Sequence, residues 1–375
     1  MKNGKIHIQV IGVGGGGGNA VDHIAQLNKE RAQFITVNTD LMALNDLNID
    51  EKIQIGQRLT KGYGSGANPD IGKKAAEEDY EKISEMAADA DLVFLAAGLG
   101  GGTGTGATPV IAKAAKAAGA LVVAVVTLPF ANEGSKRCEI AKKGLNELRQ
   151  IVDSVICIPN DRITKLAGSD MSIEKAFRLS DKVLNDAFTA VANLIVEVGI
   201  VNIDYNDIAT VFKENGESMV GFGDSVGENS AVKAVRYAMA SPLMDRSDIV
   251  GAKQVLISFV SGSDVTLKDF NEAIRIVHNE IRAETNVIFG VITRQNFASK
   301  TEVTLIATGL PEINKKQAKG PKTFPPFGNP EQSTMDFLPA EEGLFAKQDP
   351  TLISGVNYDT PTFIRWGRKL IDSVA

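Results

Sequence analysis

The chain of 375 residues is poor in cysteine, histidine and tryptophan, with two, three and one respectively. Cys138 and Cys157 stand apart without metal-ligand spacing, which excludes a zinc module or a disulfide framework and fits a reducing compartment. His7, His23 and His278 are scattered and read as structural or solvated side chains, not as a catalytic or metal-binding set. Long apolar runs are also missing. The longest, residues 120–126 continuing to Leu128, suits a buried strand and is too short to span a bilayer. Residues 1–5 lead straight into a strand pattern, so no signal peptide is expected and the cytoplasm is the expected location. Positive charge is in deficit. Lys+Arg number 40 against 46 Asp+Glu, a net charge of −6, which argues against a nucleic-acid surface. Residues 311–375 carry eight charges of each sign, so any attraction of that segment to anionic lipid is local and weak.

Glycine, by contrast, is abundant, and it is concentrated in loops. Residues 98–106, Gly-Leu-Gly-Gly-Gly-Thr-Gly-Thr-Gly, follow the apolar run 91–97 and precede a helical pattern over 107–118, with Pro109 near its start. Strand, glycine loop and helix N-terminus together form an anion site. Backbone N–H groups can converge on phosphate where no Cβ intrudes, and the helix dipole favours negative charge. The Gly-Lys-Ser/Thr ending of a Walker A loop is lacking. A second loop, residues 12–18, follows a strand pattern at 5–11 and runs into a helix ending before Gln33. Alone it fits a dinucleotide fingerprint, with Asp40 after the next strand placed to bond a ribose hydroxyl.

Strand-like runs at 6–11, 34–37, 92–97, 121–127 and 155–158 alternate with helical or loop segments. That alternation predicts an α/β fold with a Rossmann-like, doubly wound parallel sheet, ligands binding at the carboxyl ends of its strands. Apolar residues at three- and four-residue steps over 172–198 predict one amphipathic helix about 40 Å long, enough to link two domains. A smaller α+β domain follows. It comprises a helix at 227–240, strands at 254–260, 287–293 and 302–307, and a helix opened by the capping box Thr266–Asp269 and running to about Glu284. Eight of the 13 prolines lie beyond residue 310, where periodicity fades, so 311–356 is expected to be a disordered linker. The expected organisation is a nucleotide domain at 1–168, a central helix at 169–200, a C-terminal domain at 201–310, the linker, and a terminal peptide at 357–375.

Three more segments interrupt the strands with polar or glycine-rich sequence: Thr39, residues 62–69 and residues 127–137. Asp181 lies four residues beyond Phe177, so both share a helix face. Phe177 could stack on a base while Asp181 accepts from N1–H and N2 of guanine; the alternative is a core phenylalanine and a solvated carboxylate. Asp204 and Asp207, three residues apart, could polarise a water, or they could form an Asx turn with a helix N-cap. Lying beyond the long helix, they would reach a phosphate only if subunits stacked head to tail, and such a heterologous contact propagates into a filament.

Seven motifs in order, at residues 12–21, 38–40, 64–69, 100–107, 129–137, 158–162 and 202–207, resemble the FtsZ family, the bacterial tubulin homologues of cell division. The resemblance runs from about residue 6 to 310 and resumes at the C-terminus. It implies a GTPase that polymerises into protofilaments and assembles a ring at midcell beneath the inner membrane. By position, it implies that Gly15, Gly16, Gly17, Gly18, Asn19, Gly102, Thr103 and Gly104 contact GTP phosphates. Glu133 and Arg137 would reach ribose and phosphate, and Asn160, Phe177 and Asp181 would hold guanine. Asn202, Asp204 and Asp207 would insert against the nucleotide of the next subunit. Mg²⁺ is implied as counterion of the GTP or GDP phosphates, with no carboxylate cage of its own visible. The terminal segment with Phe363, Ile364, Arg365 and Trp366 is similar to the family's tail peptide, which implies docking to division proteins, membrane tethers among them; direct membrane insertion is not expected. Asn132, Ser218 and Ser230 stand where the family commonly has phenylalanine, alanine and arginine.

Two other classes compete. A dehydrogenase would explain the first loop and Asp40, but it leaves residues 100–106 and 202–207 unexplained. A polymer-forming homologue without hydrolysis would not need Asp204 and Asp207.

Overall fold

The computed structural model describes residues 6–167, 172–197, 199–213, 217–244, 249–310, 352–353 and 356–357. Residues up to 314 form one compact unit. Its backbone is a single ten-stranded sheet in the order β3-β2-β1-β4-β5-β6-β7-β10-β8-β9. The first six strands are β1 (Ile8–Val13), β2 (Gln33–Asn38), β3 (Glu51–Gln54), β4 (Leu92–Gly98), β5 (Leu121–Leu128) and β6 (Ser154–Pro159), and they pair in parallel. β4 and β5 are buried on both faces, which is why they read as continuous apolar runs and not as alternating ones.

β7 (Glu217–Val226) joins the sheet through two parallel pairs with β6, and β10 (Lys300–Leu310) runs antiparallel to it. β8 (Gln254–Ser261) and β9 (Asn286–Thr293) complete the sheet. Sequence patterning missed β7, and its glycines show why. A Cβ at Gly221 would stand 2.2 Å from the Ala238 carbonyl oxygen, and one at Gly223 would stand 2.0 Å from that of Ala234. The helix over this strand packs directly on its backbone, leaving no room for the apolar side chains that mark a strand in sequence.

Among the helices, α1 (Gly14–Asn28), α2 (Leu41–Asn45), α3 (Gln57–Thr60), α4 (Pro69–Glu78), α5 (Tyr80–Ala87), α6 (Thr103–Ala117) and α7 (Ser135–Arg149) wrap the parallel strands. Then come α8 (Asn160–Ala167), α9 (Ile173–Val196), α10 (Tyr205–Phe212), α11 (Ser230–Met239) and α12 (Leu267–Glu280). α1, α9 and α10 share one apolar cluster with a face of the sheet, α4 to α7 share another, and α11 and α12 cover a third. The long helix is present as 24 residues, about 36 Å. Its Phe188 meets Phe34 and Phe94 edge-on at 6.0 and 5.3 Å, which fixes α9 across β2 and β4.

Some expectations are corrected. α6 starts at Thr103 and not at 107, so the end of the glycine loop is already helical and Pro109 lies inside the helix. α12 stops at Glu280, short of 284; the Thr266 cap is as expected, accepting from Asp269 N at 3.2 Å. Ser218 and Ser230 are each buried against one hydroxyl partner, Ser154 at 2.6 Å and Thr301 at 2.8 Å, which accounts for a polar side chain at both positions. Residues 315–375 form a second unit, in which Leu352–Ile353 and Val356–Asn357 pair antiparallel. Most of the expected linker and the terminal peptide, including Phe363, Ile364, Arg365 and Trp366, lie outside the described residues.

Candidate functional site

β1 runs between β2 and β4, so the sheet's strand order reverses there. The helices that follow, α1 and α6, cover opposite faces and leave a crevice at the carboxyl ends of the strands. A cavity of about 400 Å³ occupies it, in the range of small-molecule sites.

At one end of the cavity the two glycine loops abut. Gly14 has φ +72°, and a Cβ there would lie 2.8 Å from Gly104 N. A Cβ at Gly102 would meet Ser65 Oγ at 2.2 Å and Asn68 N at 2.7 Å, so the 62–69 loop closes the same end. Gly15 faces open space, with nothing within 4 Å of its would-be Cβ. Two helix N-termini of fifteen residues each, α1 and α6, thus begin at one spot and present amides to an anion. Thr103 Oγ1 is the hub of buried hydroxyls, 2.7 Å from Thr39 Oγ1 and 3.0 Å from Ser65 Oγ. Thr105 Oγ1 accepts from Gly100 N at 2.9 Å and fixes the loop between them.

Of the residues assigned to phosphate, Gly15, Gly16, Gly102, Thr103 and Gly104 line the cavity. Gly17 and Gly18 are buried elsewhere. A Cβ on Gly17 would press 2.2 Å from the Ala96 carbonyl oxygen, and one on Gly18 would lie 2.9 Å from Leu47 Cδ1. The smallness of Gly17 lets α1 lie against β4, and that of Gly18 makes room for Leu47 beyond α2. Asn19 is exposed and outside the lining.

On the cavity wall, Glu133 accepts from Phe130 N at 2.8 Å through Oε1, while its Oε2 pairs with Arg137 at 2.9 Å. At the far end stand Asn160, Ser180 and Asp181, with Ser180 Oγ donating to Asn160 Oδ1 at 3.3 Å. The side chain of Phe177, one helical turn before Asp181, lies outside the description. The Asp181 carboxyl is mostly buried, and loss of water raises its pKa above the usual carboxylate value; His23 opposes this through an Nδ1–Oδ2 contact of 3.1 Å. From sequence alone His23 reads as structural or solvated; the one signal of its placement is its spacing, seven residues after Gly16 and so on the same helix face. Asp40, on which the dinucleotide interpretation depended, accepts from Ala43 N at 3.0 Å as the N-cap of α2.

Asn202, Asp204 and Asp207 lie elsewhere. All three are exposed. Asn202 Oδ1 accepts from Gly199 N at 2.7 Å, and Asp204 Oδ1 accepts from Asp207 N at 2.8 Å, so the Asx turn and N-cap are present. Tyr205 OH donates to the Asp91 carbonyl at 2.7 Å, which ties this segment to the amino end of β4. The cavity sits at the carboxyl end of that strand, about 20 Å away across seven residues.

A model of the Tubulin/FtsZ family GTPase domain matches residues 7–168, and one of the FtsZ family C-terminal domain matches residues 216–311. Cell division protein FtsZ of Buchnera aphidicola subsp. Baizongia pistaciae (strain Bp) is 38% identical over 386 residues, spanning 98% of both chains. That of Wolbachia sp. is 39% identical over 377 residues, 97% of this chain and 94% of the relative. The empty FtsZ dimer of M. jannaschii superposes with TM-score 0.77 at 39% identity, over 82% of this chain and 89% of that one. CetZ2 of Haloferax volcanii, solved as a GTPγS-bound protofilament, shares the fold with TM-score 0.72 at 22% identity, over 82% of this chain and 94% of that one. Identity sustained over nearly the full length of both chains, with the two family models matched in order, establishes that the chain belongs to the FtsZ family and carries its GTPase domain.

Proposed function

We propose that the chain hydrolyses GTP at a site shared between two subunits, and that the same contact builds head-to-tail protofilaments for a cytoplasmic division ring at midcell beneath the inner membrane. The observation that carries this is the separation of two chemistries on one sheet: an anion cradle at the carboxyl edge and exposed carboxylates at the amino edge. Translation of one copy along the strand direction brings them together. Exposed apolar side chains stand at both ends, Met42 and Tyr63 beside the cavity and Ile200 beside Asn202. They are the side chains such a contact would bury.

In this assignment the amides of residues 14–16 and 102–104 bind the phosphates, Glu133 and Arg137 meet the ribose and phosphate, and Asn160, Phe177 and Asp181 hold guanine. The neighbour's Asp204 and Asp207 orient a water and accept its proton as oxygen attacks the γ-phosphorus, with Asn202 holding their loop. The bond to the β–γ bridging oxygen then breaks, releasing GDP and phosphate. Mg²⁺ would supply charge compensation on the phosphates. Among the described residues no three His, Cys, Asp or Glu side chains group as a metal cage; the ion would be held mainly through the nucleotide phosphates. The terminal segment with Phe363, Ile364, Arg365 and Trp366 pairs apolar side chains with cations and suits docking to division proteins, membrane tethers included. No helix among the described residues is long and apolar enough to cross a membrane.

Complementation tests the shared site. Gly15→Asp puts a carboxylate where nothing of the protein lies within 4 Å and repels phosphate; Asp207→Ala removes the proposed water-orienting group. Neither variant alone should turn over GTP, while their mixture should, at the interfaces that join one intact cavity to one intact Asp207. A mixture as inactive as its components would overturn the proposal.

A further inference from the structure

The nucleotide assignment gives His23 no task, yet His23 is the only side chain of α1 in hydrogen-bond contact with Asp181 among the described residues. α1 spans the whole site: its first turn lies in the phosphate cradle, and His23, nine residues beyond Gly14, lies about 14 Å along the axis, roughly the span from phosphates to base. Asp181 faces the cavity beside Ser180 and Leu184 with its carboxyl mostly buried. A buried carboxylate must be both ionised and correctly turned to accept two N–H bonds from a guanine edge. Burial works against the first requirement, and free rotation about χ2 works against the second. His23 Nδ1, 3.1 Å from Oδ2, answers both. Against an ionised carboxylate, which can only accept, Nδ1–H donates to Oδ2, opposes the desolvation, and leaves Oδ1 and the second lone pair of Oδ2 to the ligand.

We propose that His23 is a positioning residue for guanine recognition, holding the Asp181 carboxylate turned toward the Watson–Crick edge of the bound base. This rests on the assignment of Asp181 to guanine. His23 acts through Asp181 and touches no reacting atom, so it sets which nucleotide binds and leaves the phosphate chemistry alone.

The test compares GDP with IDP, whose hypoxanthine lacks the 2-amino group, on the full-length protein. Dissociation constants are measured for the parent, His23→Ala, His23→Asn, Asp181→Ala and the double variant His23→Ala/Asp181→Ala. Loss of the hydrogen bond to the charged group should weaken GDP binding about tenfold in His23→Ala and reduce the GDP-over-IDP preference. His23→Asn, whose amide nitrogen occupies nearly the place of Nδ1, should restore both. The double variant should be no worse than Asp181→Ala alone. A His23→Ala protein that keeps the parent's GDP-over-IDP ratio would overturn the proposal while leaving Asp181 in place. An unchanged ratio in Asp181→Ala would instead remove the guanine assignment itself. If His23→Ala fails to fold, His23→Asn against His23→Leu reads the same donor, and equal ratios in those two would refute it.

Discussion

Gly15 and Gly17 are two residues apart, yet alanine should do opposite things at them. At Gly17 the new Cβ meets the Ala96 carbonyl oxygen at 2.2 Å, the Ala96 carbonyl carbon at 3.0 Å and Ala97 Cα at 3.2 Å. All three atoms belong to the backbone of β4, which β1 and β5 hold on either side, so none can rotate away. Ordinary contact begins at 3.4 Å, so helix or strand must give by 3.4 − 2.2 = 1.2 Å. Overpacking of this kind costs about 1–3 kcal/mol, against about 1 kcal/mol that alanine gains over glycine in a helix. An overlap this deep on fixed backbone belongs to the upper part of that range, so Gly17→Ala should be destabilised by about 1–2 kcal/mol and melt about 4 °C lower without nucleotide. Gly15→Ala meets nothing of the protein and should melt at or slightly above the parent. Its methyl group stands in the cavity, so GDP should bind about tenfold more weakly, the loss expected when a charge-assisted contact is displaced. Calorimetric melting of nucleotide-free protein and GDP titration, run on both variants, separate the two effects. A Gly17→Ala protein as stable as its parent but weaker for GDP would refute the packing role and make Gly17 a ligand contact.

Asp207→Ala should keep GDP binding and lose turnover, whereas loss of binding would mean that its loop acts within its own subunit. Asp204→Ser should retain the N-cap of α10, and hence the melting temperature, while losing turnover; Asp204→Ala should lose about 1 kcal/mol of stability as well. Because burial raises the folded-state pKa of Asp181 above its ordinary 3.8, the folded protein binds the extra proton and stability falls as pH rises through that interval. Asp181→Asn should therefore flatten the acid side of the melting profile and stabilise nucleotide-free protein at neutral pH, even as it weakens guanine binding. Desolvation pushes the Cys157 thiol up to about 12 although the side chain is only partly buried, so at pH 8 native protein should be alkylated there more slowly than unfolded protein; equal rates would contradict the raised pKa.

What the sequence disclosed and what it hid follow from side-chain size and chain distance. β4, β5 and α9 were legible because burial on two faces or one stripe leaves a periodic apolar record. β7 was not, since Gly221 and Gly223 yield their space to α11. The cradle was legible in outline through its glycines, but the division of labour among them was not: Gly15 faces the cavity while Gly17 and Gly18 set helix packing, and nothing in a run of identical residues marks the difference. The hydroxyl hub of Thr39, Ser65 and Thr103 joins residues 38 and 64 apart, and the His23–Asp181 pair joins residues 158 apart. Such contacts follow only from the folded arrangement of strands. The separation of the glycine cradle from the Asp204–Asp207 turn is expected from the long helix that lies between them in sequence, and the tie from Tyr205 to Asp91 gives it a distance.

The proposed mechanism depends above all on an active site completed by a second copy. GTP turnover per subunit, measured over a range of protein concentrations with sedimentation in parallel, addresses this most directly. The expected result is a rate near zero below a critical concentration that rises as polymer appears in the pellet. A constant rate per subunit with no pellet at any concentration would mean that each chain hydrolyses GTP alone, and the separation of cavity and carboxylates would have no catalytic meaning.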